Sequence, residues 1–169
     1  MPAPERDPEF EALFDATYTR MVGLGRRLLG TTAAGENLAA DSPAEAFLRW
    51  RSVRRQPSPE GWVLCLATDR ALEQLGRDDK PMLSRAAGHH AEEAAAARRS
   101  VVEVLRRLPR QEQRVVAMRY LGGLPEQDVA DALAISAGTV SSTLTRGLTE
   151  LRNRLDEPAL AALERGLDP

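Results

Sequence analysis

The sequence has few residues that could support covalent or metal chemistry. Among its 169 residues it has one cysteine, Cys65, which excludes an internal disulfide and a zinc site made of several thiolates. Its two histidines, His89 and His90, are neighbours in a polar segment, a pattern more typical of a solvated stretch than of a metal site. No acidic, basic or nucleophilic set has the spacing of a catalytic site. We therefore predict a protein that is not an enzyme and that has no metal and no cofactor.

Long apolar runs are also missing. No stretch approaches the roughly 18 apolar residues that a membrane span requires. The N-terminal residues are rich in proline and acid and lack the apolar core of a signal peptide. These absences predict a cytoplasmic protein without membrane contact. With 43% hydrophobic and only 4% aromatic residues, the chain can form one ordinary domain or two very small ones.

Lysine is almost absent, since Lys80 is the only one, and arginine therefore carries the positive charge. The net charge of -2 and a pI near 5.8 argue against nucleic-acid binding by bulk charge. The charge is unevenly distributed, however. Residues 98–155 hold ten arginines against six acids, a net +4, and the rest of the chain carries -6. This basic segment favours a nucleic-acid surface confined to one part of the chain.

The composition is typical of an all-α fold, because Ala, Leu and Arg fill long stretches. Helical spacing of apolar residues predicts three helices in residues 8–76, the second of them beginning at Asp41-Ser42-Pro43. Residues 77–97 have few large apolar side chains and are predicted to form a flexible, partly helical linker. Residues 98–155 predict a four-helix unit. The acidic tail, residues 156–169, is predicted either to form an extra helix or to fray.

The spacing in residues 125–155 fits a helix-turn-helix. Ala130 allows the two helices to approach, Ile135 fills the turn, Ser136 caps the second helix, and Val140 packs that helix against the first. The N-terminal part of such a second helix enters the major groove of DNA. The side chains predicted to face DNA, together with Ser136 at the same helix end, are Thr139, Ser141, Ser142, Thr143, Thr145 and Arg146. The spacing alone also fits a purely structural helical hairpin.

The chain resembles the extracytoplasmic-function (ECF) sigma factors of bacteria over almost its whole length. The C-terminal resemblance to region 4 of that family lies in the run LRRLPRQEQRVVAMRYLGGL, residues 105–124, and continues through the turn to Val140. The N-terminal resemblance to region 2 lies in the first predicted helix, in AEAFLRW at residues 44–50, and in residues 61–75. Two helical units with a variable linker are the layout of this family.

The resemblance implies a subunit that recruits core RNA polymerase to promoters, behaves as a monomer when free, and is controlled by an anti-sigma protein. The positions that match the polymerase-docking helix are Asp41, Glu45, Phe47, Leu48 and Trp50. Those that match the surface for the minus-ten element are Arg51, Arg54, Arg55, Trp62, Asp69, Arg70 and Arg77. For the minus-thirty-five element the resemblance adds Arg114 and Arg119 as phosphate contacts to the helix-turn-helix residues.

Some positions depart from the pattern of this family. The second helix of the helix-turn-helix carries Ser141, Ser142 and Thr143 where basic residues are usual, which predicts weak binding to the minus-thirty-five element. Asp69 stands where the family has Asn, and an aspartate there would repel phosphate. Ala134 stands at a turn position where Gly is usual, which predicts strain of about 1 kcal/mol.

Two alternatives to a promoter-binding sigma factor remain open. The first is a sigma-like fold reused as a protein-interaction or regulatory module with weak or no DNA binding. The second is a helix-turn-helix transcriptional regulator, which would explain residues 98–155 and leave the first unit without a role.

Overall fold

The computed structural model describes residues 7–77 and 88–166, and within those ranges it contains helices and no strand. The predicted flexible linker, residues 77–97, includes residues 78–87, which lie outside the described ranges. The all-α prediction is confirmed. The helices are α1 (Pro8–Leu29), α2 (Thr32–Leu48), α3 (Trp50–Val53), α4 (Pro59–Arg77), α5 (His89–Arg107), α6 (Arg110–Val116), α7 (Glu126–Leu133), α8 (Ala137–Arg154) and α9 (Glu157–Glu164).

Helix α1 begins at Pro8 and ends before Gly30, residue types that are typical of a helix start and a helix stop. The Asp7 carboxylate accepts a hydrogen bond of 2.9 Å from the backbone N–H of Glu9 and so caps the first turn. Gly30 ends the helix in the left-handed conformation, with φ 88°. The buried face of α1 packs against both α2 and α4 and makes the centre of the N-terminal unit.

Helix α2 corrects one prediction. It begins at Thr32, nine residues before the Asp41 start signature, and Pro43 lies inside it. The Thr31 hydroxyl caps the helix by accepting from the N–H of Ala34 at 3.1 Å. Pro43 costs the helix one backbone hydrogen bond, and its ring is buried in the core. Tertiary packing therefore prevails over the local helix-start signal.

In the C-terminal half, α5 begins at His89, nine residues before the predicted start near Arg98. Helix α6 runs on into a π-helical turn, Ala117–Leu121, in which Gly122 donates to the carbonyl of Ala117 at 2.8 Å. In the described part of the tail, residues 156–166, the extra helix is present. This helix, α9, is capped by Asp156 and packs against α5.

The helix-turn-helix is formed by α7 and α8. Ala130 and Val140 are fully buried between the two helices, and the Ser136 hydroxyl caps α8 by accepting from the N–H of Thr139 at 3.0 Å. At the turn, Ala134 has φ 53° and ψ 44°, the only positive φ of a non-glycine residue in the described ranges. The predicted left-handed position is therefore confirmed.

We expect Ala134→Gly to raise the free energy of unfolding by about 0.5–1 kcal/mol, because glycine adopts this conformation without strain. Ala96→Gly is the matched control: Ala96 is an exposed residue inside α5, where the same change should lower stability by about 1 kcal/mol. Urea denaturation of both variants measures the two effects. A loss of stability in both would show that the turn is not strained.

The two halves of the molecule pack directly on each other. Helix α4 of the N-terminal half lies against α6 and α7 of the C-terminal half, and the buried side chains of both halves form one continuous core. Arg27 on α1 donates to the Leu121 carbonyl and Arg20 to the Gly123 carbonyl, each at 2.9 Å. The units predicted as separate domains are thus in contact along the helix that the sequence assigned to promoter DNA.

Candidate nucleic-acid interface

The exposed face of α8 agrees in most positions with the predicted reading surface. Ser141, Ser142, Thr145 and Arg146 are exposed. The hydroxyl of Ser142 bonds to the Thr139 carbonyl at 3.1 Å, and that of Thr145 to the Ser141 carbonyl at 2.9 Å, so they are held by their own helix. Arg146 is the only basic side chain of this set, and its Nε lies 3.4 Å from a carboxylate oxygen of Glu112.

Thr143 corrects the predicted set, because its side chain has 0% exposure. It lies three residues after Val140 and four before Gly147, both buried, so it belongs to the packed side of α8. Thr139 is half-buried, and its hydroxyl lies 2.8 Å from that of Ser136. The face open to DNA is therefore narrower than the sequence indicates, and it is nearly neutral.

Arg114, predicted to contact DNA, instead binds Asp69, which the sequence assigned to the other promoter element. Arg114 donates from Nη2 to Asp69 Oδ2 at 3.0 Å. Its Nε lies 2.8 Å from Oδ1, at an angle that makes an ionic contact and no hydrogen bond. Arg110 adds a third contact, with Nη2 at 3.4 Å from Oδ1. Two arginines of the C-terminal half thus converge on one carboxylate of α4.

Cys65 lies one turn before Asp69 in α4 and contacts the same arginine. Arg114 Nη2 is 3.2 Å from its sulfur. Burial raises the pKa of the Cys65 thiol, and the nearby Asp69 carboxylate adds to that effect, so the thiol stays protonated near neutral pH. This environment is that of a cysteine that packs in the core.

The predicted polymerase-docking residues lie around an exposed leucine. Leu48 is 85% exposed at the end of α2. Phe47 and Trp50 are half-buried, because Phe10 packs edge-on against both rings, with centroids 4.9 Å and 5.4 Å away. With Asp7 they line an open depression of about 660 Å³. The surface therefore combines one free apolar side chain with a rigid aromatic wall.

Asp7 and Phe10 shape this depression, and sequence analysis missed both. The Asp7 carboxylate accepts a hydrogen bond of 2.5 Å from the Trp50 indole, which lowers the pKa of Asp7. Asp7 therefore caps α1 and fixes the Trp50 ring at the same time. No local signal pairs residues 43 positions apart, and only the cap itself could be found from the sequence.

A second groove, of about 540 Å³ between α2 and α4, brings two predicted sets together. It is lined by Asp41 and Glu45 of the docking set and by Asp69, Arg70 and Arg77 of the minus-ten set. Several of these side chains form ion pairs with one another or with neighbours: Arg70 lies 2.5 Å from a Glu45 oxygen, and Arg77 lies 3.8 Å from Glu73. Most of the charged side chains of this groove are therefore held in ion pairs.

The remaining side chains predicted to contact DNA differ in how exposed they are. Arg51, Arg54 and Arg55 are exposed around α3 and the turn that follows it. Trp62 is half-buried against the core, and Arg119 lies over the ring of Tyr120, 5.7 Å from its centroid. The described residues contain no group of three metal-ligating side chains and no helix long and apolar enough to cross a membrane.

Comparison with protein families finds a match within the helix-turn-helix half. Residues 98–151 match the model of "Sigma-70, region 4". This span covers the second half of α5, all of α6 and α7, and most of α8.

Comparison with curated proteins extends the similarity to the N-terminal half. The "ECF RNA polymerase sigma factor SigK" of Mycobacterium ulcerans is 31% identical, over 90% of this chain and 88% of its own. The "RNA polymerase sigma-E factor" of Streptomyces coelicolor is 26% identical, over 87% of this chain and 86% of its own.

Comparison with solved structures shows that the fold is shared as well. The chain superposes on the sigma factor RpoE of Bartonella quintana, solved in complex with the anti-sigma factor NepR, with a TM-score of 0.58. The match covers 87% of this chain and 96% of that one at 15% identity.

Proposed function

Because the chain belongs to the extracytoplasmic-function family of RNA polymerase sigma factors, we propose that it directs core polymerase to promoters through the surfaces described above. The family is one of transcription initiation factors without a catalytic site of their own. The observation that carries the proposal is the coincidence of an exposed leucine on a rigid aromatic wall with a complete helix-turn-helix in the same chain.

The polymerase contact is proposed to centre on Leu48. A leucine that is 85% exposed contributes almost nothing to folding, but its burial against a partner would be favourable. Asp41 is exposed on the same helix and supplies a polar rim, while Glu45 is held by Arg49 and Arg70. An apolar anchor with a polar surround is the usual composition of a protein-binding site.

Promoter contact is proposed for both halves. Arg51, Arg54 and Arg55 are exposed and suit phosphate contacts of a minus-ten element. The start of α8 is proposed to enter the major groove of a minus-thirty-five element, with Ser141, Ser142, Thr145 and Arg146 at the DNA.

The domain assignment and the partners complete the proposal. Residues 8–76 would bind polymerase and the minus-ten element, residues 77–97 would link the halves, and residues 98–155 would bind the minus-thirty-five element. The tail would be structural, since α9 is packed on α5. RpoE of Bartonella quintana was solved with an anti-sigma factor, and a partner of that kind is proposed here too. The site of action would be the cytoplasm, where promoters are transcribed.

A transcription assay tests the proposed function. Purified protein added to bacterial core polymerase should yield transcripts that start at defined promoters and that are missing with core enzyme alone. Core binding with no specific transcript from a genomic promoter library would instead favour the interaction-module alternative, for which the nearly neutral reading face is the specific observation. The absence of both core-polymerase binding and specific transcripts would overturn the proposal.

We expect Leu48→Asp to weaken core-polymerase binding about tenfold, because it removes an exposed apolar anchor. Thermal stability should not change, since the side chain makes little contact within the chain. Ala33→Asp is the matched control, because it adds the same charge to an exposed position of α2 about four helical turns away. Equal affinities for the two variants, measured by fluorescence anisotropy, would exclude Leu48 as the anchor.

A further inference from the structure

We propose that Asp69, Arg110 and Arg114 form an autoinhibitory latch that holds the two halves of this sigma factor closed over its promoter-facing helix. The inference rests on the proposed function, because closure matters only if α4 and Arg114 serve promoter DNA. Asp69 belongs to α4 of the N-terminal half, and both arginines belong to α6 of the C-terminal half.

The geometry of the latch favours closure. One carboxylate receives Arg114 at 2.8 Å and 3.0 Å and Arg110 at 3.4 Å. Asp69 and Arg114 are each about 30% exposed, so water screens the pair less than it screens a surface ion pair. Both ends of the Arg114–Asp69 contact are side chains assigned to DNA, and neither is free while the contact persists.

Close backbone packing accompanies the ion pairs. Gly61, at the start of α4, is buried so near α7 that a Cβ there would lie 3.0 Å from the Asp128 carbonyl oxygen. Arg20 and Arg27 of α1 donate to carbonyls just beyond α6. One face of α4 is consequently covered by α6 and α7, whereas the exposed residues of α8 lie outside this contact.

The identity of residue 69 supports an inhibitory role. An aspartate on a promoter-facing helix repels phosphate, so direct DNA contact gives no reason for it. As the acceptor for two arginines of the other half, the same carboxylate has a clear physical function. Release would expose α4 and Arg114 together, which makes opening a condition for full promoter contact.

The single thiol provides a measure of opening. Cys65 is buried beside Arg114, so its reaction with a soluble thiol reagent requires the halves to separate or α4 to become accessible. When closing is fast relative to the reaction, the labelling rate is proportional to the open fraction. The measurement needs neither polymerase nor DNA.

We expect Asp69→Asn to accelerate Cys65 labelling about five- to tenfold. Glu73→Gln is the matched control. It removes an equal charge from α4, but Glu73 pairs with Arg77 of the same helix and not with the other half. Since Asp69 also raises the pKa of Cys65, rates are compared over a pH series, which separates the thiolate fraction from accessibility. An equal effect of both variants would overturn the latch.

A double-mutant cycle distinguishes a latch from a general loss of stability. Arg110→Gln alone should accelerate labelling about two- to threefold, and its effect should be clearly smaller once Asp69 is Asn, since only the contact of Arg110 with the Asp69 backbone carbonyl then remains. Independent effects would contradict the proposal. Arg110→Gln should also tighten core-polymerase binding by the same factor, because apparent affinity scales with the open fraction.

Failure of the latch and failure of the proposed function are distinguishable. Unchanged labelling in all variants, with normal transcription by the parent protein, would leave a sigma factor without this latch. Coupled labelling effects with no transcription from any promoter would show closure in a protein that is not an active sigma factor.

Discussion

Gly35→Ala is expected to destabilise the protein by about 3 kcal/mol, because the new methyl group has no space between two helix backbones. A Cβ at this position would lie 2.3 Å from the Val22 carbonyl oxygen, and the corresponding atom at Gly25 would lie 2.5 Å from the Gly35 Cα. Helices α1 and α2 therefore cross through their two glycines. Backbone atoms cannot rotate away, so the helices must separate and open the core around Leu24 and Leu38.

Gly76→Ala is the matched control for this change. Gly76 lies near the end of α4 with nothing within 4 Å of an added Cβ, so the same methyl group should stabilise the helix by about 0.5 kcal/mol. Urea denaturation should give opposite signs for the two variants, and Gly35→Ala should lower the melting temperature by about 10 °C. A change below about 1 kcal/mol at position 35 would contradict the close crossing.

Features that depend on neighbouring residues could be predicted from the sequence. The bounds of α1 follow from Asp7, Pro8 and Gly30, and the helix-turn-helix follows from its apolar spacing and the Ser136 cap. The strained turn at Ala134 was also predicted correctly. In each case the deciding residues lie within about ten residues of one another or at the ends of one helix, so the local pattern contains the information.

Features that depend on tertiary packing could not be predicted in the same way. The predicted start of α2 was wrong because Pro43 resembles a first-turn proline. In the structure Pro43 is buried in the core and lies inside the helix. The contact between Asp69 and Arg114 joins residues 45 positions apart in different halves. Thr143 differs from these: a stricter helical projection places it beside Val140 and Gly147, so its burial could have been found.

The exposed face of α8 is nearly neutral, so a sigma factor with a net charge of -2 does not depend on positive charge at this surface to select promoters. Ser141 and Ser142 are exposed at the start of α8, the end that we propose enters the major groove, and hydroxyl groups there would supply hydrogen bonds without charge. Hydroxyl groups contribute nothing to counterion release, so the contribution of these two residues to binding should vary little with salt. At these positions base contacts, rather than phosphate contacts, would carry the recognition.

The double variant Ser141→Lys, Ser142→Arg is therefore expected to strengthen binding of the protein to minus-thirty-five DNA by about 50-fold near 0.1 M salt. The estimate follows from two added phosphate contacts, each of which steepens the dependence of log K on log salt by about 0.9. Both positions are exposed, so the free energy of unfolding should change by less than about 0.5 kcal/mol. Anisotropy titrations of labelled duplexes at several salt concentrations measure affinity and slope together.

A control variant with a positive charge elsewhere in the same half distinguishes direct phosphate contact from general electrostatic attraction to DNA. Ala96→Arg adds a positive side chain to the exposed face of α5, outside the motif, and should raise affinity no more than about twofold without changing the slope. If the double variant behaved like this control, α8 would not be the element that meets DNA, and the C-terminal half would contribute to initiation through protein contacts alone. A slope steeper by about 1.8 would place both side chains at phosphates, because counterion release counts the contacts that form.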